Sequence, residues 1–455
     1  MKILLSTVLF FNFITGFGQD LQSMYEKYKS NLSENNLEVA INTLDSLLTM
    51  DPNNNYWLVG KAEIHAALGQ KEEAVSILQK AIDNGYRNLA EIVKNEHFEG
   101  ISSSKQFNMI VEKLEKELSS YKLKDDEQKL TIEIPPLMEC YVIMLYLSNS
   151  DHPLINKKRD HFYFDRIDTY FKPYLSSSHL KQIHKIYPGN RDLWINNLRA
   201  HHNLRTLYVF DSLDIKQIKR FPLELDKDLA KLVREFALET DFMEFYEANS
   251  GFYNAMKRIM KTNYAFGSHL IPFFNKNFET KIQRFNIYFS PIYGGWQHGP
   301  TARIGDYIES FYFGGIMYTP EEEFYYPDVF LLFTFLTEFD HTTINMLTDE
   351  FSKEIAALKE KTPLLNTSGK VSYGSIKATV NEYITWAFAL QFFYEHTPLD
   401  YANLEESIVT WMEEGRKFAE FGNFMKFYKK YMQNRTTYPL LRDFYPEIID
   451  WFSNV

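Results

Sequence analysis

Two stretches of this chain repeat each other at an interval of 34 residues. Asn36-Leu37-Glu38-Val39-Ala40-Ile41-Asn42-Thr43-Leu44 aligns with Gln70-Lys71-Glu72-Glu73-Ala74-Val75-Ser76-Ile77-Leu78, so Ala40 matches Ala74, Leu44 matches Leu78 and Leu48 matches Ile82. Within each copy a small residue is followed by large apolar residues four and eight positions on, which lie along one face of a helix. The small alanine lets a second helix approach, and the larger side chains fill the groove beside it. A unit of this kind cannot bury its apolar face alone and must stack on neighbours.

The 34-residue interval is the tetratricopeptide period. Trp57, Gly69, Ala74 and Ala81 resemble parts of that pattern, while Gly60 follows Trp57 one position too early for it. The resemblance implies helical hairpins over residues 19–121 and a concave surface suited to a peptide or protein partner. Two copies are fewer than the three or so that usually stand alone, so the segment either binds a partner or caps the rest of the chain. Asp51-Pro52 and Asn84-Gly85 close the second helices of the two units, and Phe98 and Phe107 anchor a closing helix through Val111, Leu114 and Leu118. Residues 122–129 carry Leu123 as their only large apolar side chain among charged and polar neighbours, and read as a linker.

At 455 residues the chain exceeds one ordinary core. Past the linker, Leu130 to Ile134 alternates like a strand and ends at Pro135-Pro136. From Leu137 to about Thr280 the pattern is helical and rich in aromatics. Phe285–Phe289 and Ile308–Met317 are further strand candidates. Helices are predicted over Asp328–Leu347, Glu350–Lys361 and Tyr373–Tyr394, with more between Leu404 and Phe452. The fold class is mainly α (α+β): an N-terminal helical-repeat segment, then a second domain over residues 130–455 with a small sheet and two motif-bearing helices.

Residues 1–18 have the form of a signal peptide, with Lys2 before an apolar run from Ile3 to Ile14 and small residues at Gly16 and Gly18. The run is too short to span a bilayer, which takes roughly 20 residues. A secreted or periplasmic protein is expected, with no membrane insertion after signal removal. The formal charge is −11, and −12 once Lys2 leaves (−11 minus one positive charge). That balance argues against nucleic acid, whose phosphates call for clustered Lys and Arg. A lone cysteine, Cys140, excludes an internal disulfide and reads as a buried thiol.

The chemistry concentrates in Thr337-Glu338-Phe339-Asp340-His341. Residues 337 and 341 lie about 40° apart on a helix and share a face. Asn345 extends that face, and Glu338 sits beside it. The segment looks like the zinc helix of a metallopeptidase, in which two histidines four apart bind metal and the following glutamate activates a water. Thr337 stands where the first histidine belongs. Glu382, in Asn381-Glu382-Tyr383-Ile384-Thr385-Trp386-Ala387, is placed to act as a third, oxygen ligand, and Tyr373 precedes that helix.

Residues from about Leu130 to Glu395 resemble an exported bacterial, zincin-like (gluzincin-type) family, domain of unknown function 4932. In that group one helix reads His-Glu-Phe-x-His followed by Asn, and a later one reads Asn-Glu-x-x-x-Arg-Ala. The Ser290-Pro291 turn with Gly294-Gly295, and Tyr373-Gly374, resemble further landmarks. The resemblance implies Glu338 as general base and His341 and Glu382 as metal ligands, with Tyr373 as a speculative catalytic hydroxyl. Thr337 and Trp386 depart from the group, in place of a histidine and an arginine.

Catalytic zinc keeps three protein ligands and an open position, and a neutral threonine hydroxyl is a poor replacement. No cofactor is therefore expected, and zinc only if a substitute ligand exists. His298, in the loop Trp296-Gln297-His298-Gly299-Pro300, is the candidate substitute. Asp340 is a weaker one, because it points about 60° from residue 337 and about 100° from His341. The expected function is a degenerate, catalytically impaired metallopeptidase-like protein that binds a peptide or protein in the former substrate cleft. The alternatives are an active zinc peptidase with a substitute ligand, and an exported adaptor acting through the repeats.

Overall fold

The computed structural model describes residues 24, 27–28, 30–32, 36–123, 127–156, 161–186, 200, 202–294, 297–315, 329–368 and 374–455. Residues 1–18 and Tyr373 lie outside the described residues. The protein is mainly α with one small sheet, an α+β arrangement.

The first helices are α1 (Leu37–Met50), α2 (Asn55–Ala67), α3 (Lys71–Asp83), α4 (Leu89–Lys94) and α5 (Lys105–Ser119). Equivalent positions of the 34-residue interval do equivalent work: Ala40, Ala74, Leu44 and Leu78 are all fully buried. The Asn54 side chain accepts from Trp57 N and starts α2, and the Ser104 hydroxyl accepts from Phe107 N and starts α5. Tyr28, Ala40, Leu44, Leu47, Trp57 and Ile64 form a small cluster of their own. Leu58, Ala62, Leu78, Ile110 and Leu114 instead join the large core that runs to Phe452. Polar ties reinforce that packing. Tyr56 donates to Glu224 Oε1 at 2.7 Å, and Arg205 and His202 reach the same oxygen at 3.2 and 3.1 Å.

The second part contains α6 (Pro136–Ser148), α7 (Phe162–Phe171), α8 (Ser178–Ile186), α9 (Lys227–Glu239), α10 (Phe242–Ala248), α11 (Ser250–Thr262) and α12 (Phe266–Asn277) before the sheet. After it come α13 (Val329–Glu350), α14 (Ser352–Ala356), α15 (Thr362–Leu365), α16 (Ile376–His396), α17 (Pro398–Thr410), α18 (Phe421–Gln433) and α19 (Leu441–Asn454).

The sheet has the order β1-β2-β4-β3. β1 (Lys129–Glu133) and β4 (Tyr307–Gly315) each run parallel to β2 (Arg284–Ser290), and β3 (Thr301–Ile304) closes the edge antiparallel to β4. Side chains alternate between faces. One face turns Phe285, Ser310 and Tyr312 toward α13: the Phe285 ring meets Phe339 at 5.3 Å, and Tyr312 meets Phe335 at 4.4 Å. The other face turns Tyr288, Phe311 and Phe313 toward Tyr208.

Two expectations need correction. The predicted helix over Glu350–Lys361 is broken: α14 stops at Ala356, a 3-10 turn covers Lys359–Lys361, and α15 follows. Phe351 bonds back to the Thr348 carbonyl at the end of α13, which turns the chain there. The edge strand β3 was not anticipated.

Candidate functional site

α13 is apolar on nearly every side, with Leu332, Phe333, Phe335, Leu336 and Phe339 fully buried, so tertiary packing rather than propensity holds it. Its threonines bond inward: Thr337 Oγ1 donates to the Thr334 carbonyl at 2.9 Å, and Thr343 Oγ1 to that of Asp340 at 3.2 Å. α16 packs along α13. It begins at Ser375, whose hydroxyl accepts from Ala378 N. Asn381 accepts from the Thr348 hydroxyl and pins the two helices together; that hydroxyl lies 2.6 Å from Tyr445 Oη.

This packing brings His341 and Glu382 together, with Nε2 and Oε1 3.7 Å apart. Thr385 Oγ1 lies 3.4 Å from His341 Nδ1, the other ring nitrogen. Glu382 Oε2 receives the Arg416 guanidinium at 2.7 Å and the Trp386 indole N–H at 3.2 Å. The guanidinium lies over the Trp386 ring at 4.7 Å and near Phe418 at 5.2 Å. Burial alone would raise the Glu382 carboxyl, but Arg416 and then His341 outweigh it and hold it below the usual carboxylate range.

Glu338 lies where β4 and the segment before β3 meet α13. The register continues past β3: His298 pairs with Phe313, and Phe311 N bonds the Pro300 carbonyl. Gly299 is therefore opposite Tyr312 and faces α13. A methyl group on Gly299 would lie 2.6 Å from Glu338 Oε2 and 2.7 Å from the Glu338 carbonyl oxygen, and only glycine permits this approach. The Gly299 N–H donates to Glu338. Burial raises the Glu338 carboxyl, opposed by His341, raised further by Glu382, and opposed again by Arg416 and that N–H. Gly299→Ala is expected to cost about 2 kcal/mol, read as a lower Tm, because neither the helix backbone nor the sheet can retreat.

The same register puts His298 beside Phe313, on the sheet face opposite α13, so as a substitute ligand it stands on the wrong side of the sheet. Asp340 is fully buried, and burial holds its carboxyl well above the usual range, with a Thr385 hydrogen bond opposing. Asn345 is exposed. Two residues here were missed by sequence reasoning. Tyr312 has its hydroxyl buried near Glu338, with Gln297 beside it; burial, then the Glu338 charge, raises it. Arg416 is the other, and its only sequence signal is the absence of a cation at Trp386.

Tested as a zinc site, the donors fall short. His341 and Glu382 face one another, but the third position offers a hydroxyl spent on its own helix. Among the described residues no three His, Cys, Asp or Glu side chains converge on a point suited to a metal ion. What remains is a partly exposed polar cluster, with His341 24% and Arg416 14% exposed. No helix among the described residues is long and apolar enough to cross a membrane.

No curated protein and no solved structure matches this chain. Residues 206–451, more than half of its length, match the family described as Domain of unknown function (DUF4932), and contain Glu338, His341, Glu382 and Arg416. The chain belongs to that family.

Proposed function

We propose that this is an exported, degenerate metallopeptidase-like protein that no longer hydrolyses peptides and instead holds a peptide or protein partner at the cluster between α13 and α16. The observation that carries the reading is the fate of the three ligand positions. Thr337 gives its hydroxyl to the Thr334 carbonyl, Glu382 gives one oxygen to Arg416 and Trp386, and His341, 24% exposed, faces the other. A general base without a metal-bound water has nothing to activate. His341, Glu382 and Arg416 still present hydrogen-bonding groups at a partly exposed position between the two helices.

Two measurements test this. Purified full-length protein is expected to carry far less than one zinc per chain by elemental analysis. Glu338→Gln is expected to change peptide hydrolysis not at all, since wild type has none to lose. Near-stoichiometric zinc, or hydrolysis that disappears in Glu338→Gln, would overturn the proposal and favour an active peptidase.

A further inference from the structure

The first helices meet the family domain at a tight seam. Tyr86 and Glu224 form an antiparallel bridge, and Leu225 N bonds the Gly85 carbonyl at 3.3 Å. Gly85 has a positive φ of 103°, and a methyl group on it would lie 2.8 Å from the Leu225 carbonyl oxygen. Arg87 follows the bridge on one side, and Lys227, the first residue of α9, follows it on the other. Between α3, α5 and Lys227 lies a cavity of about 200 Å³.

Arg87 lines this cavity and is already held in place. Its Nε donates to Glu117 Oε1 at 3.0 Å, and Nη1 donates to the Ile82 and Tyr86 carbonyls at 2.7 and 2.9 Å. Only 12% of the side chain is exposed, so the guanidinium stands fixed before any ligand arrives. Lys113 and Lys227 line the same cavity and are exposed; among the described residues neither has a hydrogen-bond or ion-pair partner. The acids of the lining are engaged: Gln79 Nε2 donates to Asp83 Oδ1 at 2.8 Å, and Glu117 takes Arg87. Arg87, Lys113 and Lys227 against Asp83 and Glu117 leave the lining with a charge of +1 (three positive minus two negative). Ile82, Ile110 and Leu114 are buried and add an apolar wall.

We infer that this cavity binds a small organic acid with a single negative charge, its carboxylate between Lys113 and Lys227 and its carbon chain against Ile82, Ile110 and Leu114. Two ammonium groups without partners, one from each side of the seam, call for an anion. Asp83 and Glu117 in the same lining penalise a second negative charge. A water takes about 30 Å³ of liquid, so the space holds roughly six or seven. That is room for about eight non-hydrogen atoms, and it falls short of a drug-sized ligand. Lys113 belongs to the first helices and Lys227 to the family domain, so the bound acid adds a tie across the seam. The site shares no residue with the cluster between α13 and α16, and the inference does not depend on the function proposed for that cluster.

The test is a ligand-observed NMR titration of the full chain at constant ionic strength. The probes are succinamate, a monoanion of about eight non-hydrogen atoms, its uncharged isostere succinamide, and inorganic phosphate. Succinamate is expected to bind saturably, and to bind less tightly as salt is raised. Succinamide and phosphate should each bind at least about 5-fold more weakly. Lys113→Gln and Lys227→Gln should each lower the succinamate affinity about 3-fold, and the double variant about 10-fold. Both side chains are exposed and bond nothing among the described residues, so unliganded variants should match the wild-type Tm. The comparison of the three probes is read on wild type alone and needs no variant. Absence of saturable succinamate binding would overturn the inference. So would equal binding of succinamide, or phosphate competing as well as succinamate, since the cavity would then select neither charge nor carboxylate. An affinity unchanged in the double variant overturns it too, because the acid would then sit elsewhere.

Discussion

Arg416→Met should unfold about 3 °C below wild type, a loss of about 3 kcal/mol. Glu382 and Arg416 are only 13% and 14% exposed, so the carboxylate left behind has little water to turn to. The Trp386 N–H stays, but a single neutral donor at 3.2 Å does not balance a buried charge. Methionine fills much of the volume over Trp386, so the loss is electrostatic rather than a cavity. Arg416→Lys keeps the charge but not the planar fork resting on the indole, and should recover part of the loss. Glu382→Gln combined with Arg416→Met removes both charges and should be markedly more stable than Arg416→Met alone, because the orphaned carboxylate is gone. Thermal unfolding of wild type, Arg416→Met, Glu382→Gln and the double variant measures the coupling. Equal Tm values for wild type and Arg416→Met would mean that the pair is solvated.

The parts of the site that were legible share one property: they are written in local periodicity. A four-residue interval places 337 and 341 on one helix face whatever else the chain does. Two long helices rich in large apolar residues must pack together, and their packing brings His341 to Glu382. Arg416 was not legible, because it lies outside both motifs and arrives through a π turn and two left-handed residues that no periodicity encodes. Tyr373 lies outside the described residues; Tyr312, whose buried hydroxyl lies near Glu338, sits on a strand and carries no motif that would announce it. The edge strand β3 has only four residues, and its one sequence signal is Gly305-Asp306, a two-residue turn in which Gly305 takes a positive φ of 57°. The Glu350–Lys361 expectation failed for the opposite reason. Its helical composition is real, but the return of Phe351 to Thr348 ends α13 and redirects the chain.

The repeats show how far a sequence interval can be taken. Ala40, Ala74, Leu44 and Leu78 occupy the buried positions that the interval calls for. What the interval does not announce is the buried Glu224, to which Tyr56, Arg205 and His202 converge. Burial would raise that carboxyl, yet His202, Arg205 and Tyr56 together pull it below the usual range. The tie fastens the helical pairs to the part of the chain that carries the site.

Stability should fall as pH rises from about 4.5 to 7, and Glu139→Gln should abolish that part of the fall. Glu139 lies in α6, where Leu137 through Tyr146 are all buried, and is itself fully buried. Tyr163 donates to its Oε1 at 2.7 Å, and the Tyr253 hydroxyl lies 2.5 Å from that of Tyr163. Burial pushes the carboxyl from 4.5 up to about 7, while the Tyr163 and Ser290 hydrogen bonds oppose the rise. The folded protein therefore keeps this proton up to about pH 7, whereas the unfolded chain releases it near 4.5. Between those values folding takes up a proton, so each step upward in pH weakens the fold, and the contribution is fully present only below 4.5. A shift of 2.5 (7 minus 4.5) corresponds to about 3 kcal/mol. Glutamine keeps the shape and an acceptor for Tyr163 without the charge, so Glu139→Gln should match wild type or fall slightly below it at pH 4 and exceed it at pH 8. Calorimetry at both pH values distinguishes the outcomes. A Glu139→Gln protein whose Tm follows the wild-type pH profile would show that the carboxylate is hydrated in the native state. Tyr163→Phe removes the donor that favours the ionised form, and should steepen the fall rather than flatten it.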